Sequence, residues 1–117
     1  MIVYKLAAPL ILTDVDKCLF LDVDTMIDGP LDELYNTDIG NYFYGMVEEL
    51  SMSRKKGQPY YNAGVILMNF KTIRQYDLCD MLLNRFNVVK FQYLEQDVIN
   101  TYVSKDSILK LDSKWNF

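Results

Sequence analysis

Residues 17–24 have the sequence Lys-Cys-Leu-Phe-Leu-Asp-Val-Asp, an apolar run that ends in two acids separated by one residue. The four consecutive nonpolar residues Cys18 to Leu21 predict a strand buried on both faces, and Thr25 to Pro30 predicts its exit into a turn. Side chains two apart on a strand point the same way, with backbone positions roughly 6.6 Å apart at about 3.3 Å per residue. Asp22 and Asp24 therefore project together where a core strand meets solvent.

Two carboxylates at this spacing can share one divalent cation. An empty pair repels itself, and an ion held at about 2.0–2.1 Å removes that repulsion while water or phosphate oxygens fill its remaining positions. The alternative is a solvated strand end, because acids are common there and a D-x-D pattern by itself is weakly specific. The two residues alone leave both interpretations open.

Composition excludes several classes of protein. The 117 residues are 50% hydrophobic and 24% charged, which predicts one globular domain over residues 1–117. A net charge of −4, with 12 Lys and Arg against 16 Asp and Glu, argues against nucleic-acid binding. No apolar run approaches the roughly 20 residues that span a bilayer, so we expect a cytoplasmic protein. Histidine is absent, so any chemistry uses carboxylates, amides and hydroxyls.

The first half of the chain predicts short helices and two strands. Residues 2–12 have a helical apolar period that Pro9 interrupts, and residues 30–35 predict a single helical turn with proline at its first position. Residues 42–48 are aromatic and β-branched and predict a second strand, which ends at two further acids. Residues 51–59 lack an apolar period and contain glycine and proline, which predicts a mobile loop with a solvated basic run.

The second half predicts a third strand over residues 65–70, with Asn69 as the cap of a helix over residues 71–86. That helix is predicted from apolar residues at intervals of three and four, namely Ile73, Tyr76, Cys79, Leu82, Leu83 and Phe86. Residues 94–103 predict another helix and residues 108–111 a last strand. Strands alternating with helices predict an α/β layered sheet. Cys18 and Cys79 are expected to be small buried hydrophobes rather than a disulfide.

Several blocks recur in a known order along the chain: Tyr4–Leu6, Pro9–Leu12, Asp16–Asp24, Leu31–Leu34, Tyr60–Asn69, Glu95–Asn100 and Lys114–Asn116. Together they closely resemble the retaining glycosyltransferases of family 8. The resemblance implies an α/β fold of the GT-A type, with a mixed sheet and flanking helices, truncated at both ends. It also implies that Asp22 and Asp24 bind a divalent metal, Mn²⁺ or Mg²⁺, which holds the diphosphate of the donor.

The activity that the resemblance implies is transfer of a hexose from a nucleotide-diphosphate sugar, UDP-linked, to a saccharide acceptor, as in lipopolysaccharide biosynthesis. The metal neutralises the developing charge of the diphosphate, and the sugar passes through an oxocarbenium-like state. Retention requires a covalent intermediate or attack by the acceptor on the face that the leaving group departs from. A glutamine amide is a poor nucleophile, which favours the second route.

Residues 62–64, Asn-Ala-Gly, are predicted to precede the third strand. Gly64 permits a close backbone approach to a ligand, and the Asn62 amide can donate to and accept from a sugar hydroxyl. A bare tripeptide of this kind also fits an ordinary turn. The resemblance implies that Asn62, Ala63 and Gly64 line the donor-sugar pocket, with Asp22 nearby.

The residues Gln96, Asp97 and Asn100 are predicted to share one turn of the 94–103 helix, on the side opposite its apolar residues. A solvated helix face would have the same pattern. The resemblance implies that Gln96 lies near the reacting anomeric carbon and Asp97 beside the sugar hydroxyls, as catalytic residues. It also places Asn116 near the site, whereas Trp115 is expected to pack.

Two rival interpretations remain. A strand that ends in D-x-D also begins phosphotransferases of the haloacid-dehalogenase type, but these continue with Gly-Thr-Leu where this chain has Thr25-Met26-Ile27. The other rival is a non-catalytic fragment, because the family's N-terminal nucleotide-binding strand and helix and its C-terminal metal-binding histidine are absent. We therefore expect this chain alone to hold a cation weakly, to transfer no sugar and to self-associate.

Overall fold

The computed structural model describes residues 3–22, 29–88 and 95–115. The strands within these ranges are β1 (Lys17–Leu21), β2 (Tyr44–Glu48), β3 (Tyr61–Asn69) and β4 (Ile108–Lys110). The helices are α1 (Val3–Ile11), α2 (Asp32–Tyr35), α3 (Leu50–Lys56), α4 (Phe70–Gln75), α5 (Leu78–Val88) and α6 (Glu95–Tyr102). Short 3₁₀ turns cover Lys105–Ser107 and Ser113–Trp115. The predicted α/β class is confirmed.

The four strands form one mixed sheet in the order β1-β3-β2-β4. β3 lies antiparallel to both β1 and β2, whereas β4 lies parallel to β2. The register pairs Lys17 with Asn69 and Leu21 with Val65 across β1 and β3. The prediction that strands near residues 18–23, 42–48 and 64–69 share a sheet is confirmed for the part of each that the structure describes.

Alternate residues of β3 face two different apolar layers. Ile66 and Met68 lie in a large core with α1, α4, α5 and α6, whereas Val65 packs with Leu34 and Leu111 on the other face. This alternation follows from the two-residue period of a strand. Each fully buried aliphatic side chain stabilises the fold by about 1.5–3 kcal/mol. Trp115 contacts the second layer and is half-buried, which confirms its predicted packing role.

The strand β1 packs on both of its faces, as predicted, but it is not fully buried. Cys18 and Phe20 pack against the large core, and Leu19 and Leu21 pack against the second layer. All five residues of β1 are half-buried, because β1 lies at the edge of the sheet formed by the described strands. Cys18 is accordingly half-buried, whereas Cys79 on α5 is buried, and both are free thiols. The predicted self-association stays a prediction.

Helix α1 continues through Pro9 to Ile11, so the predicted interruption is wrong. Proline lacks the N–H group that would bond to the carbonyl four residues back, but it does not end the helix here. The guanidinium group of Arg74 donates to the carbonyl oxygens of Pro9 at 3.1 Å and Val15 at 2.9 Å, and to the Asp16 carboxylate at 2.9 Å. Arg74 therefore ties the end of α1 and the following loop to α4.

The loop predicted over residues 51–59 is instead mostly helix α3. The side chains of α3 are exposed or half-buried, so its sequence has no apolar stripe that would predict a helix. Backbone hydrogen bonds hold its two ends. Ser53 N–H donates to the Glu49 carbonyl at 2.9 Å, and Gly57, with φ of 70°, ends the helix in the left-handed region. Pro30 is likewise not the first residue of α2, which begins at Asp32.

The single helix predicted over residues 71–86 is two helices, α4 and α5. The break falls at Tyr76 and Asp77, where Asp77 has a φ of 51° that no α-helix accommodates. Tyr76 is 65% exposed rather than part of a buried stripe, and its ring meets Phe43 edge-on at 5.9 Å between centroids. The predicted cap is confirmed, because the Asn69 side chain accepts from Thr72 N–H at 3.3 Å.

Candidate active site

The predicted site residues that the structure describes meet at one end of the sheet, where β1 and β2 end and β3 begins. The backbone N–H of Asp22 donates to the Gly64 carbonyl at 2.9 Å, and that of Glu49 donates to the Tyr60 carbonyl at 2.7 Å. Helix α6 begins at the same end with Glu95. Side chains from three strands and a helix therefore converge there, although they are far apart in the sequence.

Asp22 lies just past β1 and forms an ion pair with Lys5 of α1. The same ammonium group donates to the Ala63 carbonyl at 2.9 Å, so Lys5 joins two predicted site residues. The Asp22 side chain remains 43% exposed. Asp24 lies outside the described residues, so the paired geometry of the D-x-D motif stays a prediction. Nothing in the sequence singled out Lys5, which is one lysine in an otherwise apolar helix.

The segment Asn62–Gly64 lies inside β3, so the prediction that it precedes the strand is wrong. The register between β2 and β3 shifts here: Met46 pairs with Ile66, but Val47 pairs with Asn62. This β-bulge leaves residues 63–65 of β3 without a partner in β2 and frees the backbone N–H of Ala63 for a side chain. The Asn62 side chain accepts from Gly64 N–H at 2.7 Å and so braces the bulge.

Gln96 on α6 uses both ends of its amide. Its Oε1 atom accepts from Ala63 N–H at 2.9 Å, and its Nε2 atom lies 3.3 Å from both Glu49 Oε2 and the Tyr60 hydroxyl. Glu49 Oε2 also accepts from Asn62 Nδ2 at 3.4 Å. Sequence reasoning missed Glu49 as a site residue, although β2 was predicted to end at two acids. The amide of Gln96 is therefore fixed in one orientation.

Asp97 and Tyr60 form a hydrogen-bonded pair in which the phenol donates to Asp97 Oδ1. Burial, and then the bond to the Asp97 carboxylate, raise the pKa of Tyr60 above its ordinary value. Tyr60 therefore stays protonated and remains a hydrogen-bond donor across the physiological pH range.

Asn100 is buried and does not belong to a solvated helix face. Its Oδ1 atom accepts from Tyr61 N–H at 2.7 Å, and its Nδ2 atom donates to the carbonyl oxygens of Tyr61 at 2.7 Å and Gln96 at 2.8 Å. The polar side of α6 therefore packs on β3 instead of lying opposite the packed side as predicted. Asn116 lies outside the described residues, and its place in the site stays a prediction.

The described residues supply few donor atoms for the predicted metal. Within residues 3–22, 29–88 and 95–115 no cluster of three or more His, Cys, Asp or Glu side chains could hold a metal ion. Asp22 nevertheless supplies a partly exposed carboxylate, which is the hard oxygen ligand that Mn²⁺ and Mg²⁺ prefer. The described donor set fits one ligand position of such an ion.

The mixed sheet and its flanking helices have the GT-A fold of glycosyltransferases. The profile of the family described as "Glycosyl transferase family 8" matches residues 1–117, and the chain belongs to that family. A Haemophilus influenzae protein described as a glycosyltransferase is 27% identical over 118 residues, which cover 89% of this chain and 35% of that protein.

Solved structures agree with this assignment. The galactosyltransferase LgtC, in complex with donor and acceptor sugar analogues, is 30% identical with a TM-score of 0.86, over 98% of this chain and 45% of LgtC. An active-site variant of LgtC with glutamate in place of glutamine has a TM-score of 0.82 and 28% identity, over 97% of this chain and 44% of LgtC. GlyE of Streptococcus pneumoniae is 25% identical with a TM-score of 0.82, over 100% of this chain and 29% of GlyE.

The chain thus spans less than half the length of these relatives. Among the described residues, no helix combines the length and the apolar character needed to cross a membrane. The cytoplasmic location stays a prediction.

Proposed function

We propose that this chain forms the donor-sugar side of the active site in an enzyme that moves a hexose from a UDP-linked sugar to a saccharide acceptor, with retention of configuration. The observation that supports the proposal is the meeting of Asp22, Ala63, Gln96 and Asp97 at one end of the sheet. Ala63 joins Asp22 to Gln96, because its N–H donates to Gln96 and its carbonyl accepts from Lys5, the partner of Asp22. Asp97 is joined to Gln96 through the Tyr60 hydroxyl.

In the proposed enzyme, Asp22 and Asp24 hold a divalent cation, Mn²⁺ or Mg²⁺. When bound, that cation stabilises the negative charge that develops on the departing diphosphate. Lys5 holds the Asp22 carboxylate in place and would neutralise part of its charge while no cation is bound. Neutralising one carboxylate of a close pair lowers the repulsion that would otherwise disfavour the empty site.

The donor sugar is proposed to lie against the bulge of β3, between Asp22 and α6. The methyl group of Ala63 and the lack of a side chain at Gly64 permit a close approach to the backbone there, and the Asn62 amide lies at the same end of the sheet. Gln96 presents a neutral amide toward the reacting carbon. Because that amide is a poor nucleophile, the fitting route is attack by the acceptor on the face from which the diphosphate leaves.

Asp97 and Tyr60 are proposed to orient the sugar. The Tyr60 phenol donates to Asp97 Oδ1 and so holds the carboxylate in a fixed position, and carboxylate oxygens accept hydrogen bonds from sugar hydroxyls. Two similarities support a transferase of this kind, namely a family match over the whole chain and a galactosyltransferase with the same fold. Saccharides such as those of lipopolysaccharide are the proposed acceptors.

The test uses the complete protein encoded by the gene, with Mn²⁺ and a panel of UDP-hexoses. We expect one donor to be consumed, and NMR of the product to show the same anomeric configuration as the donor. Chelation of the metal should abolish turnover. Product with the opposite configuration would contradict the retaining mechanism, and no consumption of any nucleotide sugar would contradict the proposed function.

A further inference from the structure

A cavity of about 470 Å³ lies beside the candidate active site. It is lined by α3, by the segment that precedes β3, by α6 and by the residues that follow α6 as far as Lys105. Its volume falls within the range of about 300–1,000 Å³ that is typical of small-molecule sites. Tyr60 and Asp97 belong both to this cavity and to the active site. The cavity is therefore continuous with the place where the sugar would be transferred.

The position of the cavity separates it from the proposed metal. Asp22 follows β1 at one edge of the sheet, and its contacts Lys5 and Gly64 do not line the cavity. The cavity instead lies toward α3, which follows β2, and toward the turn before β4. The donor diphosphate belongs on the Asp22 side, so the cavity is available to the other substrate.

Two lysines give the cavity a positive charge. Lys105 Nζ donates to the Asn100 carbonyl at 2.7 Å and to Asn100 Oδ1 at 3.2 Å, which fixes a half-buried ammonium group in the wall. Lys56 Nζ lies 5.3 Å from the centroid of the Tyr60 ring. Among the described residues that line the cavity, Asp97 is the one acid, and the Tyr60 hydroxyl donates to it.

The two ammonium groups are close enough to influence each other. Burial lowers the pKa of Lys105, and the charge of Lys56 lowers it further. An anion between the two lysines would offset both effects, because an opposite charge favours the charged form of an amine. The basic run that was predicted to be a plain solvated surface therefore contributes one residue, Lys56, to a cavity wall.

We propose that this cavity binds the acceptor saccharide, and that Lys56 and Lys105 select an acceptor bearing a carboxylate or phosphate group. This inference rests on the proposed function and adds the class of acceptor to it. The exposed side chains of Gln58 and Thr101 supply polar groups for uncharged hydroxyls of the same saccharide. Electrostatic selection of this kind acts mainly on specificity, since a neutral acceptor leaves two like charges uncompensated.

Binding is tested on the complete protein without donor, by calorimetry with three disaccharides of the same linkage: one ending in a uronate, one ending in a sugar phosphate and one neutral. We expect the neutral disaccharide to bind about tenfold more weakly than at least one acidic one. Comparison of the uronate and phosphate forms identifies the acidic group. Inorganic phosphate at the same concentration should compete poorly, because it makes no sugar contacts.

The matched variants are Lys56→Gln and Lys55→Gln, which remove the same charge from the same exposed helix. Of these two lysines, Lys56 lines the cavity and Lys55 does not. Lys56→Gln should weaken the acidic disaccharide about fivefold and leave the neutral one unchanged, whereas Lys55→Gln should change neither. Lys105→Gln should have a larger effect, and Lys105→Arg should restore binding if the charge rather than the fold is responsible.

Equal affinity for acidic and neutral disaccharides, or equal effects of the Lys55 and Lys56 variants, would overturn the inference. Hydrolysis of the donor without acceptor reports on the proposed function separately. A protein that hydrolyses the donor but has no acidic preference retains the proposed function and loses this inference. A protein that binds the acidic disaccharide through Lys56 but consumes no nucleotide sugar supports the anionic site and overturns the proposed function.

Discussion

Gln96 and Ala63 are joined by a hydrogen bond of 2.9 Å, from the backbone N–H of Ala63 to the side-chain Oε1 of Gln96. The bond exists because the bulge in β3 leaves that N–H without a partner in β2. It fixes the amide so that Nε2 points toward Glu49 and Tyr60. A side chain whose amide oxygen and amide nitrogen are both hydrogen-bonded is suited to positioning a reacting group.

Gln96→Ala should therefore lower kcat about 100-fold while changing KM for the donor by less than about threefold, because the proposed role lies at the reacting carbon. Steady-state kinetics of the complete protein measure both constants. Gln75→Ala is the control, since Gln75 is an exposed glutamine at the end of α4. Unchanged turnover in Gln96→Ala would leave this residue with a structural role alone.

Asp97→Ala should raise KM and lower kcat together, because a residue that binds sugar hydroxyls acts in the ground state and the transition state alike. Tyr60→Phe should have a milder effect of the same kind, since it removes only the phenol that donates to Asp97. Direct titration with the donor, alongside steady-state kinetics, separates the effect on donor binding from the effect on kcat. A loss of kcat without weaker binding in Asp97→Ala would speak against this role.

Asn100→Ala should lower the free energy of unfolding by about 3 kcal/mol. The substitution leaves both the N–H and the carbonyl group of Tyr61 without their 2.7 Å partners inside the fold. Urea unfolding monitored by circular dichroism measures the change. Asn84→Ala, on the exposed side of α5, should change stability by less than about 0.5 kcal/mol. Similar losses in the two variants would contradict the special role of Asn100.

Local sequence signals are sufficient to predict the strands of the sheet and one helix cap. The apolar run before Asp22 and the two following β-branched runs specify strands, since each pattern reports burial along its own segment. Asn69 was identified because a helix needs an acceptor for its first N–H groups. Such features depend on residues close together in the sequence, and the structure confirms them.

The sequence-based predictions are wrong or incomplete where contacts between distant segments determine the local structure. The apolar period of residues 71–86 continues across Tyr76 and Asp77, yet the backbone turns there so that α4 and α5 can each pack on α1. The contributions of Lys5 and Glu49 to the candidate site cannot be predicted from the sequence for the same reason. Lys5 reaches Asp22 and Ala63, and Glu49 reaches Gln96, only once the sheet has formed.

The thiol of Cys79 should make stability depend on alkaline pH. Burial, followed by the charge of Asp80, raises its pKa to about 11 from a reference of 9.0. Between these two pH values the folded protein retains a proton that the unfolded chain releases. The contribution of Cys79 protonation to the free energy of unfolding is therefore complete below pH 9 and is lost as the pH rises toward 11. It amounts to about 1–3 kcal/mol.

Cys79→Ala should flatten the fall in unfolding free energy between pH 9 and 11, measured by urea unfolding at several pH values. The slope with pH is the informative quantity, because the smaller side chain also lowers stability at every pH. Cys18→Ala is the comparison, since burial raises the pKa of that half-buried thiol as well, but without the charge effect that Asp80 has on Cys79. An equal slope in wild type and Cys79→Ala would contradict the assignment.

The ion pair between Lys5 and Asp22 predicts competition between an internal cation and a metal. In the proposed site, Mn²⁺ would share the Asp22 carboxylate with the Lys5 ammonium group, and like charges a few ångströms apart repel by about 1–4 kcal/mol in a partly exposed site. Lys5→Met keeps the apolar stem of the side chain and removes its charge. Binding of Mn²⁺ should therefore become about tenfold tighter in this variant, as measured by electron paramagnetic resonance of the free ion.

Lys71→Met is the matched control, because it removes one positive charge from an exposed position on α4 and should leave Mn²⁺ affinity unchanged. The double variant Asp22→Asn with Asp24→Asn should abolish the binding that Lys5→Met strengthens. Weaker binding in Lys5→Met, with an unchanged melting temperature, would show that the ammonium group supports the metal site instead of competing with it. Undiminished binding in the double variant would place the metal away from this pair, since no other residue of the D-x-D motif supplies a carboxylate.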